Sequence, residues 1–167
     1  MEKINFLYVV LTAFIPMIMG FLWYSNFLFG NAWMQAAGVS QEKLKSGNMA
    51  VIFIVSLILS VLIAMSLMSV TIHQMGVYSI FVGDPGLADP QSPTSLYLAD
   101  FMEKYGRNYR TFKHGALHGA LCGLFLVTPV ISILALFERR SFKYIAIHAG
   151  YWILTLALMG GVICAFA

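Results

Sequence analysis

Charge is what this sequence has least of. Asp, Glu, Lys and Arg make up 10% of the 167 residues and hydrophobic residues 60%, where an ordinary soluble domain carries about 25% and 45–50%. The few charges are also gathered together, and none falls within 4–41, 46–83, 114–137 or 144–167. Each of those runs exceeds the roughly 18 apolar residues that mark a spanning helix, because a hydrocarbon core of ~30 Å takes about 20 residues at a rise of ~1.5 Å. A soluble helical bundle is excluded on the same ground. Soluble helices keep a polar face for water, and VIFIVSLILSVLIAMSLMSV has none.

Other absences narrow the function. Cysteine occurs only at Cys122 and Cys164, both inside apolar runs, so no disulfide framework is expected. Residues 4–23 are longer than the ~7–15-residue core of a signal peptide, and no Ala-x-Ala-like cleavage site follows; the first helix is expected to stay in the mature chain. A net charge of +3 is too small and too dispersed for a nucleic-acid partner. No Asp, Glu, Lys or Arg lies deep in any span, which removes the usual markers of ion pathways and proton relays. No coherent set of nucleophile, base and acid is present either.

What is there reads as an all-α fold, an integral membrane four-helix bundle forming one transmembrane domain over 1–167. The spans are expected at about 4–24, 49–75, 114–137 and 143–166, with an extramembrane loop over 76–113. Pro16 and Pro129 fall inside the first and third spans and predict kinks there. An even number of spans puts both termini and the 76–113 loop on one side. That side carries Lys3, Lys104, Arg107, Arg110 and Lys113; the other carries Lys43, Lys45, Arg139, Arg140 and Lys143. The count is a tie. The short 138–143 turn concentrates cations beside two helix ends, which assigns its side to the cytoplasm and the termini and 76–113 to the non-cytoplasmic face.

Two connecting segments have content of their own. NFLFGNAWMQAAG, with Trp23, Tyr24 and Trp33 in or beside it, predicts an interfacial helix ending near Gly38, after which Ser40 caps a restart towards the second span. GDPGLADPQSP is turn-rich, and beyond it Leu96, Tyr97, Phe101, Met102 and Tyr105 predict an amphipathic helix capped by Ser95.

The segment GFLWYSNFLFGNAWM, residues 20–34, sets Gly20 before Trp23, Tyr24 and Ser25, then Phe29, Gly30 and Trp33. With FERRSFKYIAIHAGYWILTLALMGG near the end of the chain, which holds Gly150, Tyr151, Met159 and Gly160, it resembles the domain of unknown function 1761 family of small bacterial membrane proteins. Asn26 stands where many members have proline, and the 76–113 insertion is longer than usual. The resemblance implies a four-helix fold in a bacterial inner membrane and implies no activity.

One motif asks for chemistry. KHGALHGALCG, residues 113–123, repeats small residues at Gly115, Gly119 and Gly123 and polar ligands at His114, His118 and Cys122. Residues four apart share a helix face. The glycines make a small-residue packing seam, with Ala157, Gly160 and Gly161 as a candidate facing surface. The histidines, joined by His73 at the end of the second span and in phase with Ser66 and Ser69, converge on the termini side of the bundle. Imidazole and thiolate together suit zinc or copper, and two histidines from different helices suit haem iron.

Three readings of function follow. The first is a non-catalytic membrane subunit that self-associates, or binds another membrane protein, through the glycine seam. The second is a metal- or haem-binding membrane protein using His73, His114, His118 and Cys122. The third is an oligomeric channel or small-solute permease lined by Ser66, Ser69, His73 and the third-span histidines.

Overall fold

The computed structural model describes residues 4–167, so Lys3, counted above on the termini side, lies outside the described residues. Those residues form helices and turns with no strand among them. Four stretches are long and apolar enough to cross a membrane: Phe6–Trp23, Met49–Thr71, Phe112–Phe137 and Phe142–Phe166. Their outward faces are apolar. Ile54, Ile58, Phe125, Leu134 and Leu136 are all more than half exposed. Such a surface suits acyl chains rather than water.

The first stretch is two helices, α1 (Phe6–Thr12) and α2 (Ile15–Trp23), which meet where Pro16 lacks the backbone donor that Thr12 would need. Next comes α3 (Gly30–Ala37), which Gly38 ends in the left-handed conformation at φ 66°. This is the ordinary helix stop that glycine permits, and it lies where the sequence places it. Ser40 does cap a helix, accepting from Lys43 N at 3.2 Å, but α4 (Gln41–Lys45) is a single short turn. Asn48 then caps the second span afresh, α5 (Met49–Thr71), accepting from Val51 N.

The second span stops earlier than expected. Its helix ends at Thr71, not at residue 75, and α6 (Gln74–Ile80) starts after a break at Ile72 and His73. Ile72 leaves helical geometry at ψ 90° and is 1% exposed, packed among Leu67, Met68, Met159 and Ile163. Folding that side chain into the core bends the chain. The helix α6 falls across the end of the expected span and the start of the 76–113 loop, where the sequence predicts no separate helix.

The rest of the 76–113 segment is a 3-10 turn at Pro85–Ala88 and α7 (Pro93–Tyr105). The cap of α7 is Ser92, three residues before the expected Ser95. Ser92 Oγ accepts from Ser95 N at 3.1 Å, Pro93 takes the first helical position where no donor is needed, and the Ser95 hydroxyl donates to Gly86 O instead.

The third span is α8 (Phe112–Cys122), a π-helical turn at Gly123–Val127 and α9 (Thr128–Phe137). The wider turn sits just before Pro129, and Gly123 O accepts both the backbone N–H of Thr128 and its hydroxyl, the latter at 2.8 Å. Last comes α10 (Phe142–Phe166), capped by Ser141. It is the centre of the fold: half of its apolar window is buried, against 11% to 22% for the other three spans. The main core, Val9, Ala64, Leu67, Met68, Ile72, Leu156, Met159, Ile163 and Ala167, gathers α1, α5 and α10 at the end of the bundle that carries His73.

Candidate metal centre

His114 and His118 stand one turn apart on α8, whose start is fixed by Thr111 Oγ1 accepting from His114 N. His73 comes from the break between α5 and α6, 41 positions away in the chain. The three side chains meet. His114 Nε2 and His73 Nε2 are 2.8 Å apart, and the ring centroids are 4.5 Å to 4.9 Å from one another in edge-on contacts. One ligand nitrogen from each ring falls within 4.8 Å of the other two. His73 is exposed, and His114 and His118 are half-buried. No Asp, Glu or Cys joins the group among the described residues.

Several contacts hold His73 and the third-span pair in register. Gln74 Nε2 donates to Tyr105 O at 3.0 Å and Asn108 O at 2.9 Å, tying the start of α6 to the end of α7. Tyr109, in the left-handed region at φ 63°, lays its ring 5.1 Å from that of His114. Arg110 donates through Nε to Cys164 O at 2.8 Å and through its guanidinium to Ala167 O, which locks the turn before α8 onto the end of α10. These positions carried no signal in the sequence, because each is defined by a loop path and not by a spacing.

Neither cysteine belongs to the centre. Cys122, expected as a ligand one turn beyond His118, lines an apolar cavity of about 480 Å³ with Leu62, Ser66, Leu67, Leu126 and Trp152. Cys164 is fully buried, and its thiol faces Thr71 O and Tyr109 O, each at 3.3 Å. Its role is to tie together three segments. The expected polar face of the second span is also absent: Ser66 and Ser69 are exposed, and the Ser66 hydroxyl donates back to Leu62 O. The break at Ile72 takes His73 out of helical phase with them.

The glycine seam is occupied within the chain. A Cβ on Gly115 would run into Gly160 O and lie 2.8 Å from Gly160 C. One on Gly119 would strike Leu156 O and lie 2.6 Å from Leu156 C, and one on Gly123 would lie 2.6 Å from Ile153 Cα. All three neighbours are on α10. The seam therefore packs α8 backbone-to-backbone on the last helix, with Gly160 and Ala157 facing it, while Gly161 accommodates Phe112. This is the small-residue geometry of close membrane helix pairs, but it leaves no free stripe for a second molecule, which corrects the use assigned to it from sequence. By placing α8 hard against α10, it fixes the height at which His114 and His118 are presented.

The signature residues near the N-terminus form a separate cluster with the last helix. Trp23 Nε1 donates to Ile147 O at 3.0 Å, and Tyr24 OH shares a 2.9 Å hydrogen bond with His148 Nδ1. Tyr151, beside Gly20, donates to Pro16 O at 2.8 Å. Ser25 Oγ donates to Leu22 O, Phe29 packs on Trp23, and Trp33 meets Tyr24 edge-on. Gly30 has no room for a Cβ, which would lie 2.7 Å from Ser25 O. The two segments that carry the resemblance thus hold one another. They form a structural hook, in the half of the bundle that lacks the three-histidine group.

With the architecture in view, the class is an all-helical chain with four segments fit to span a lipid bilayer. The family model for proteins of unknown function called DUF1761 matches residues 7–164. The chain belongs to that family. No curated protein and no solved structure matches it significantly.

Proposed function

We propose that this is a metal-binding membrane protein, with a single transition-metal ion held by His73, His114 and His118 at one end of the bundle. The convergence of three imidazoles from two separated segments carries this reading. Zinc–imidazole bonds of ~2.0–2.1 Å in a tetrahedral site set ligand nitrogens about 3.3 Å apart, so small side-chain rotations suffice to reach that geometry. Three nitrogen ligands suit zinc or copper. A haem takes axial ligands from opposite faces of a flat ring, whereas these rings touch one another edge-on. A bare ion is the better occupant.

The centre lies near the membrane boundary, two residues from the start of the third span at Phe112. With the orientation expected from the 138–143 turn, it faces the non-cytoplasmic side of a bacterial inner membrane, where metal ions reach it from water. We place α3 and α7 at the bilayer surface, where their aromatic residues sit at the headgroup level. Any self-association or partner binding uses a face other than the glycine seam.

The test is elemental analysis of protein purified without a metal-affinity column. About one zinc or copper per chain in the wild type, lost in a His73→Ala/His118→Ala variant and retained in His148→Ala, is the expected result. Metal content that is unchanged in the double variant refutes the site.

A further inference from the structure

His73 belongs to two features at once. It is one of the three converging histidines, and it also lines an open pocket of about 300 Å³ with Gln74, Val77, Phe101, Tyr105, Asn108 and Tyr109. The cavity lies between α6 and the C-terminal end of α7, and the two hydrogen bonds from Gln74 Nε2 to Tyr105 O and Asn108 O hold its walls together. Its volume is at the small end of ligand pockets, about the ~300 Å³ lower limit. Three of its walls are aromatic rings and one is an aliphatic side chain.

Charge narrows what enters it. A divalent ion held by three neutral imidazoles keeps its full charge, since no carboxylate or thiolate joins the group. The turn before α8 adds Arg110 and Lys113, while α7 carries Asp100, paired with Lys104, and Glu103. Three protein ligands also leave the fourth position of a zinc-type ion open. An open position on an uncompensated cation beside a low-dielectric membrane favours an anion over a neutral ligand.

We infer that the centre is an open site, and that its fourth position takes a small monoanion with an apolar body, an aromatic carboxylate in the first instance, whose ring occupies the cavity beside His73. This rests on the metal reading and deepens it by naming the ligand class. The carboxylate meets the ion, and the ring packs against Val77, Phe101, Tyr105 and Tyr109.

Cobalt(II) tests both layers, because it occupies zinc-type sites and its visible absorption reports ligand number and identity. Protein in detergent or nanodiscs is loaded with Co²⁺, the bound metal is counted, and benzoate, acetate and benzyl alcohol are titrated in turn. Both carboxylates are expected to change the visible bands, benzoate with an affinity about tenfold tighter than acetate's, or about 1.4 kcal/mol. Benzyl alcohol, with the ring but no charge, is expected to leave the bands unchanged. Val77→Trp takes up cavity volume while leaving His73, His114, His118 and Gln74 unsubstituted, so it should retain cobalt and bind benzoate no better than acetate. Absence of bound cobalt in the wild type overturns the metal reading and this inference together. Bound cobalt whose spectrum ignores both anions overturns the open site alone. Equal affinities for benzoate and acetate in the wild type, or an undiminished preference in Val77→Trp, overturn the assignment of the cavity.

Discussion

Gly119→Ala adds one methyl group at the tightest point of the fold. A Cβ there would lie 2.6 Å from Leu156 C and 3.0 Å from Ala157 Cα, against the backbone of α10 and not against a side chain that can swing aside. Relaxed carbon–carbon contacts are ~3.5–4.0 Å, so α8 must withdraw from α10 by about 1 Å. Because Gly115 and Gly123 make the same approach along the same helix, the retreat loosens the whole seam. Overpacking of this kind costs about 1–3 kcal/mol, and backbone-on-backbone crowding puts it at the upper end of that range. Alanine's better helix propensity returns up to about 1 kcal/mol, which leaves a net loss of about 2 kcal/mol. Gly76→Ala is the matched control. It lies in α6 with nothing within 4 Å of the new Cβ, so only the propensity gain of about 0.5–1 kcal/mol applies. The two variants should differ by roughly 3 kcal/mol in opposite directions. Unfolding in one detergent, followed by helical circular dichroism, reads that difference. Equal midpoints for the two variants refute the close approach of α8 to α10.

Other substitutions probe the remaining joints. Tyr24→Phe removes the hydrogen bond to His148 Nδ1, on a ring whose Nε2 is buried without a partner among the described residues; a loss of about 1–3 kcal/mol with unchanged metal content is expected from parallel unfolding and elemental analysis. Gly38→Ala forces an L side chain into the left-handed conformation at φ 66° and should cost about 1–2 kcal/mol, measured the same way. Cys122→Ala should leave metal stoichiometry unchanged, because its thiol lies outside the histidine group and lines an apolar cavity instead.

The spans were legible because hydropathy is additive along the chain, and four charge-free runs admit few other structures. Helix ends set by local chemistry were legible too, as at Gly38 and Ser40, where one residue type decides the geometry. The end of the second span was not, since Val70, Thr71 and Ile72 are as apolar as the helix before them, and only the core pocket that receives Ile72 ends it. The histidine pair on α8 followed from its i,i+4 spacing, and His73 was grouped with it by membrane side. Periodicity misplaced Ser66, Ser69 and Cys122, because a shared face does not say which neighbour it meets. The glycine repeat marks a seam and Ala157, Gly160 and Gly161 offer it a facing surface, but spacing alone cannot distinguish packing on the chain's own last helix from packing on a second molecule.

The measurement that reaches the central proposal most directly is X-ray absorption at the metal edge on protein loaded with one equivalent of zinc. Three imidazole nitrogens at ~2.0–2.1 Å with one exchangeable oxygen ligand and no sulfur is the predicted coordination, and His114→Ala should reduce the imidazole count by one. A shell containing sulfur at ~2.3 Å, or one with fewer than three imidazoles in the wild type, would contradict a centre built from His73, His114 and His118.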